Sequence, residues 1–165
     1  MAKARVIEGL ASEEPYASAA AKIVTVRARE VADHAHDVLD VTDIERVHDM
    51  RVATRRLRAA LEIFEPCFPA ERLDESLREV KAIADALGER RDADVTIAAL
   101  EEFAAGLAAP DRPGVASLVE QIRVEQAEAN AELEAFVGAP RLAALSERLS
   151  ELVMEAEAVA GAEET

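Results

Sequence analysis

The sequence predicts an all-α fold, an antiparallel helical bundle of about four to five helices, and three observations carry that reading. Hydrophobic types make up 50% of the 165 residues, yet aromatics are only 3%, with no Trp and a single Tyr. The core must therefore be built from Leu, Val, Ile and Ala. Together with 32% charged residues this suits long helices, not a sandwich or barrel that would draw on aromatic and β-branched side chains. Gly and Pro are confined to a few places: Gly9 and Pro15, Pro66 and Pro69, Gly106 through Gly114, Gly138 and Pro140, and Gly161, with Gly88 alone inside a long segment. Between these marks apolar residues recur at the helical period, and no strand signal interrupts them.

Because Pro breaks helix interiors and Gly weakens them, the intervals are the helices: roughly 15–40, 43–65, 71–105, 114–137 and 140–158. Short connections make consecutive helices antiparallel neighbours. Thr42, with Glu45 three residues on, reads as a capping box opening the second helix. Val47, Met50, Leu57, Leu61 and Phe64 share one of its faces. Leu73, Leu77, Val80, Ala84 and Leu87 stripe the third, in which Gly88 marks either a local break or a close approach to a neighbour. Leu118, Ile122, Leu133 and Phe136 line the fourth; Leu142, Leu145, Leu149, Leu152 and Val153 line the fifth. The segment from Glu155 to Thr165 loses its stripe and is expected to fray. The division is thus a flexible N-terminus at 1–14, one helical bundle at 15–158 and a flexible tail at 159–165.

Charge narrows the function classes. Nineteen Lys and Arg against 34 Asp and Glu give −15 at neutral pH, so the overall field repels nucleic acid and anionic membranes. The only cysteine, Cys67, cannot form an intramolecular disulfide, which fits a reducing cytoplasm. No apolar run is long enough for a signal peptide or a membrane span, and a cytoplasmic location is expected.

An anion site must then be a local concentration of positive charge, and the second helix holds one. His48, Arg51, Arg55 and Arg58 stand at i, i+3, i+7 and i+10, which places them in a narrow stripe. Met50, Leu57 and Leu61 lie on the other side of the helix, and Arg56 projects between the two rows. Like charges at this spacing repel, and no acidic residue sits within the stripe to relieve them. The plain reading is a solvated face; the functional one is a set of guanidinium forks matched to phosphate oxygens. On the third helix Arg78, Lys81, Asp85, Gly88, Arg91 and Asp92 form a possible second wall. Asp92 and Asp94 make surface ion pairs with Arg91 or orient it towards an anion.

The stretches "VHDMRVATRRLRAALEIF" and "LREVKAIADALGERRDADV" resemble the CHAD family, the conserved histidine α-helical domain. The matching positions are His48, Arg51, Val52, Arg55, Arg56, Leu57 and Arg58, then Lys81, Leu87, Gly88, Arg91, Asp92 and Val95; "APRLAALSERLSEL" is similar to the stretch closing the family's first half. The resemblance extends over roughly 15–155. It implies an all-helical module that binds inorganic polyphosphate, with association with polyphosphate granules as an expectation. It further implies His48, Arg51, Arg55, Arg56, Arg58, Lys81 and Arg91 as contacts. Full domains of the family have two similar halves, each with its own His/Arg helix. This sequence resembles the N-terminal half, and its other histidines, His34 and His36, lack an Arg ladder. A homodimer, or a partner carrying a second CHAD-like half, is therefore expected to complete the site.

Three function classes follow. Foremost is a non-enzymatic polyanion-binding module. The alternative is a degenerate CHAD-like scaffold for protein–protein contact, using the acidic fourth and fifth helices. Catalysis ranks last: there is no Gly-rich phosphate loop, no Ser/His/Asp set at telling positions, and no spacing among Asp85, Asp92 and Asp94 that makes a dedicated metal site. No enzyme activity, cofactor or metal is expected. RNA ranks below polyphosphate as a ligand because stacking aromatics are nearly absent.

Overall fold

The computed structural model describes residues 2–163. Five α-helices follow one another: α1 (Tyr16–His34), α2 (Glu45–Ile63), α3 (Ala70–Ala105), α4 (Arg112–Val137) and α5 (Ala139–Glu163). Single 3₁₀ turns at Glu65–Cys67 and Ala109–Asp111 carry Pro66 and Pro110, whose missing N–H groups suit a first turn. No strand occurs among the described residues. The all-α class holds.

α1, α2, the first half of α3 and α5 form a four-helix ring around a core of Val24, Val47, Met50, Leu57, Leu61, Val80, Ile83, Leu87 and Leu152, each 0% exposed. α3 has 36 residues, about 54 Å at 1.5 Å per residue, and is twice as long as α2 needs. Its second half pairs with α4, where Arg123 meets Glu101 and Gln126 meets Asp94. Further along, Arg141 of α5 meets Glu79, and Arg72 meets Glu155. Residue numbers thus rise from α4 into α5 as they fall along α3, so α4 and α5 lie end to end along one long helix. The expectation that consecutive helices pair antiparallel fails at this junction. Gly138, extended at φ −58 and ψ 142, and Pro140 turn the chain without reversing it. Arg141 closes the joint by donating to the Ala135 carbonyl (3.2 Å) and stacking over Phe136, 4.4 Å from its centroid.

Several local expectations are corrected. α1 stops at His34, not near 40; Asp37 adopts φ 52, a left-handed conformation that Asp tolerates, and Val38 plugs the core behind it. The capping box does not form. The Thr42 N–H and hydroxyl both donate to Asp40 (2.9 and 2.7 Å), and α2 begins after Ile44 without a side-chain cap. Leu118 is 43% exposed, because beyond Asp94 only Ile97 of α3 and Val119 of α4 are buried. Helix α5 continues through Glu155 to Glu163 with Ala156 and Ala160 buried; methyl-sized residues keep the contact without a stripe of large apolar side chains. Glu164 and Thr165 of the expected tail lie outside the described residues. Residues 2–14, expected to be loose, are held down: Ala2 N donates to Asp49 (2.7 Å), Arg56 donates to the Ala2 carbonyl (3.0 Å), and Arg5 N donates to the buried Glu30.

Four carboxylates are stabilised in their charged form. Hydrogen bonding from Lys22, then from the Ala11 N–H, lowers Glu14 to about 2. Thr42 lowers Asp40 and Arg141 lowers Glu79. Burial alone would raise Glu30, but the Arg5 N–H and Arg27 together outweigh it and leave it lowered. A carboxylate depressed on folding stabilises the protein above its unfolded value near 4.5, and that stabilisation is lost as pH falls through the folded value. Because the −15 net charge titrates in the same range, the local effect is best read by difference. Glu79→Gln should lower the thermal midpoint at pH 7, and its deficit should shrink below pH 4.5 and close as pH falls through the lowered value of the wild-type carboxyl. A deficit independent of pH would contradict this account.

Candidate functional site

The basic stripe runs along the outer face of α2. Met50 and Leu57 anchor the opposite face in the core, which turns Arg51, Arg55 and Arg58 outward; Arg55 and Arg58 are exposed, while His48 and Arg51 are half-buried. α3 lies antiparallel beside them. Arg91 donates to the Ile44 carbonyl (3.2 Å) at the start of α2 and stands 3.7 Å from Glu45. Seven residues into α2, Arg51 lies across Gly88, and a Cβ built there would sit 3.9 Å from the Arg51 Nε. At the far end Arg58, Arg78 and Lys81 line one open cleft of about 260 Å³ with Glu62, Asp74 and Leu77. The result is a groove between two helices, walled by Arg51, Arg55 and Arg58 on one side and Arg78 and Lys81 on the other.

α3 runs unbroken through Gly88, so the helix-break reading falls and the close-approach reading stands. Ordinary van der Waals distance remains for a methyl group, and alanine is the better helix former by about 1 kcal/mol. Gly88→Ala should therefore raise the melting temperature by about 2–4 °C. A lowered midpoint would show that Arg51 needs the whole space.

The cations differ in what holds them. Arg58 donates to Glu62 across one helical turn (2.8 Å), and Arg91 is tied to Glu45 and Ile44. Arg51, Arg55, Arg78 and Lys81 have no ion pair among the described residues. Unpaired cations this close repel one another, and an incoming anion relieves that repulsion. Asp85, exposed on α3, is a carboxylate within the row.

Two sequence expectations change. Arg56 does not join the groove, because its guanidinium is held against the N-terminal segment by the Ala2 carbonyl. Asp92 and Asp94 neither pair with nor orient Arg91. Asp92 lines a separate groove between α3 and α4 with Glu89, Glu125, Glu128 and Glu132. Asp94 is buried and engages the neighbouring Arg90, which is 0% exposed. Arg90 donates Nε to Asp94 (3.0 Å) and Nη1 to Asn130 (2.7 Å); Gln126 donates to Asp94 (2.6 Å), and Asn130 donates to the Leu39 carbonyl (3.1 Å). This network ties α3, α4 and the α1–α2 connection together. In the run Glu89–Arg90–Arg91–Asp92, charge alone does not say which arginine is inside; the i,i+4 pair of Arg90 and Asp94 is the signal that could have done so.

A second group has no signature in the charge pattern. Glu45, His48 and Asp49, at i, i+3 and i+4, bring one ligand atom each within 4.8 Å of one another where α2 begins, and the Asp49 carboxylate already accepts the Ala2 N–H. No described helix is long and apolar enough to cross a membrane.

Fold and groove together define a helical module that presents paired cationic helix faces. The family model of the CHAD domain matches residues 22–165, most of the chain, and the protein belongs to the CHAD family, which is associated with polyphosphate binding. No curated protein and no solved structure matches the chain.

Proposed function

We propose that the protein binds inorganic polyphosphate in the α2–α3 groove and acts as a binding module, not an enzyme. The observation that carries this reading is the set of four cations without ion pairs among the described residues, Arg51, Arg55, Arg78 and Lys81, in a chain whose net charge is −15. In so acidic a protein a carboxylate partner for each would be easy to supply, and its absence favours an external anion. Arg58 and Lys81 meet the phosphates at one end of the groove, and His48 and Arg91 at the other. Arg56, spent on the N-terminal segment, stays outside the contact set. The acidic surface elsewhere confines the polyanion to this groove. A homodimer would supply a second groove to the same polymer, and Phe103 and Val124, 61% and 60% exposed on the α3–α4 hairpin, offer apolar surface for that contact. The expected location is the cytoplasm, in association with polyphosphate granules.

The test is a polyphosphate titration at two salt concentrations, with mass read by light scattering. Binding that weakens as salt rises, by a species of twice 17.8 kDa, is the expected result. Absence of binding by a helical, cooperatively melting protein would sink the reading. The second reading, a CHAD scaffold for protein contact, is favoured by one observation: none of the five carboxylates of the α3–α4 groove has an ion pair among the described residues. It predicts capture of a basic protein partner that Glu125→Gln/Glu128→Gln abolishes.

A further inference from the structure

We infer that Glu45 and Glu62, the carboxylates holding the arginines at the two ends of the groove, set the length of polyphosphate that the groove takes. The inference rests on the polyphosphate reading and goes on to say which chains fit. Along α2 the cations form a sequence of states. Arg91 at the start is bound to Glu45 and the Ile44 carbonyl, Arg51 and Arg55 have no ion pair among the described residues, and Arg58 is bound to Glu62. Arg78 and Lys81, which line the cleft with Arg58, Glu62 and Asp74, also have no ion pair among the described residues. The accessible positive charge is thus a short run bracketed by neutralised arginines. From Arg51 to Arg55 it spans about 6 Å of helix axis at 1.5 Å per residue.

A chain lying in the middle of the groove meets Arg51 and Arg55, which have no ion pair among the described residues, with Asp85 of α3 as the carboxylate in that stretch. A longer chain must pass Glu62, with Asp74 lining the same cleft, at one end, or Glu45 at the other. There its phosphates meet carboxylates, and each further contact requires an existing ion pair to be broken. The favourable contribution of added phosphates therefore stops at the brackets. Asp85 differs in kind: it lies inside the run, so its charge weakens binding of short and long chains alike.

The experiment measures affinity for end-labelled, monodisperse chains from triphosphate upward, in wild type, Glu45→Gln/Glu62→Gln and Asp85→Asn. Helicity and thermal midpoint are checked for each protein. In wild type, affinity should climb steeply until about one phosphate per unpaired cation, roughly four, and then rise only by the number of registers available. In Glu45→Gln/Glu62→Gln the steep part should extend to longer chains. Long-chain affinity should rise about tenfold at low salt, with a salt slope steeper by about one to two. Asp85→Asn should raise affinity at every length and leave the break where it was. If the break stays in place in the double variant, or if Asp85→Asn moves it as far, length selection by Glu45 and Glu62 is overturned. Binding that ignores the double variant while wild type binds well sinks this inference and spares the polyphosphate reading; wild type that binds no chain at any length sinks both.

Discussion

Arg51→Ala/Arg55→Ala should lose at least about a hundredfold in polyphosphate affinity at low salt while keeping its helicity, the effect of removing two charge-assisted phosphate contacts worth about 1.5–3 kcal/mol each. Neither side chain has an ion pair among the described residues, so no carboxylate in the groove is orphaned by the change. Stability should hold or rise slightly, since like charges at i,i+4 repel by a few tenths of a kcal/mol. The slope of log affinity against log salt should fall by roughly 1.5–2, one counterion term for each lost contact. Arg56→Ala is the contrast within the same helix. It removes the tie to the Ala2 carbonyl, so the N-terminal segment should loosen while affinity stays within about twofold, as expected of a charge outside the contact set. A double variant that still binds like wild type would place the polyanion elsewhere, and an Arg56→Ala loss as large as the double variant's would show that the N-terminal segment moves aside on binding.

The contrast between Arg55 and Arg56 shows where sequence reading succeeds and where it stops. Periodicity put His48, Arg51, Arg55 and Arg58 on one face because the helix rotates by a fixed angle per residue, and Met50 and Leu57 left no doubt which face was buried. Four helical segments and most of their outer boundaries follow from Gly and Pro for the same reason: these residues act on their own backbone, whatever surrounds them, whereas the break between α1 and α2 falls where neither occurs. What was not legible depends on partners distant in sequence. Arg56 is held by Ala2, Arg91 by Ile44, and Arg90 by Asn130; none of these pairs has a local signature. The end-to-end placement of α4 and α5 escaped for a related reason. A single extended Gly138 between helices reads equally well as a hairpin or as a corner, and only the length of α3 decides between them. A chain of 36 helical residues needs two partners of ordinary length along it, and α4 and α5 are those partners.

Asp94→Ala should be the most destabilising single change outside the apolar core, costing about 3–5 kcal/mol and lowering the melting temperature by about 10 °C. Asp94 is 1% exposed and accepts both the Arg90 Nε and the Gln126 amide; its removal leaves a guanidinium at 0% exposure with Asn130 as its remaining side-chain partner. Uncompensated charge in the interior, not the lost attraction, is what makes the change severe. Removing the whole set should therefore hurt much less than removing one member, and Arg90→Met/Asp94→Leu/Gln126→Leu should recover most of the loss in urea titrations. The rescued protein also decides what the network is for. Asn130 reaches the Leu39 carbonyl ahead of α2, and Arg91, next to Arg90, holds the first residues of α2 against α3. If the apolar replacement binds polyphosphate as wild type does, the network contributes stability alone. If it folds as stably but binds less tightly, with Arg51 and Arg55 intact, the buried polar set fixes the spacing of the two helices that wall the groove, which an apolar core of equal stability does not specify.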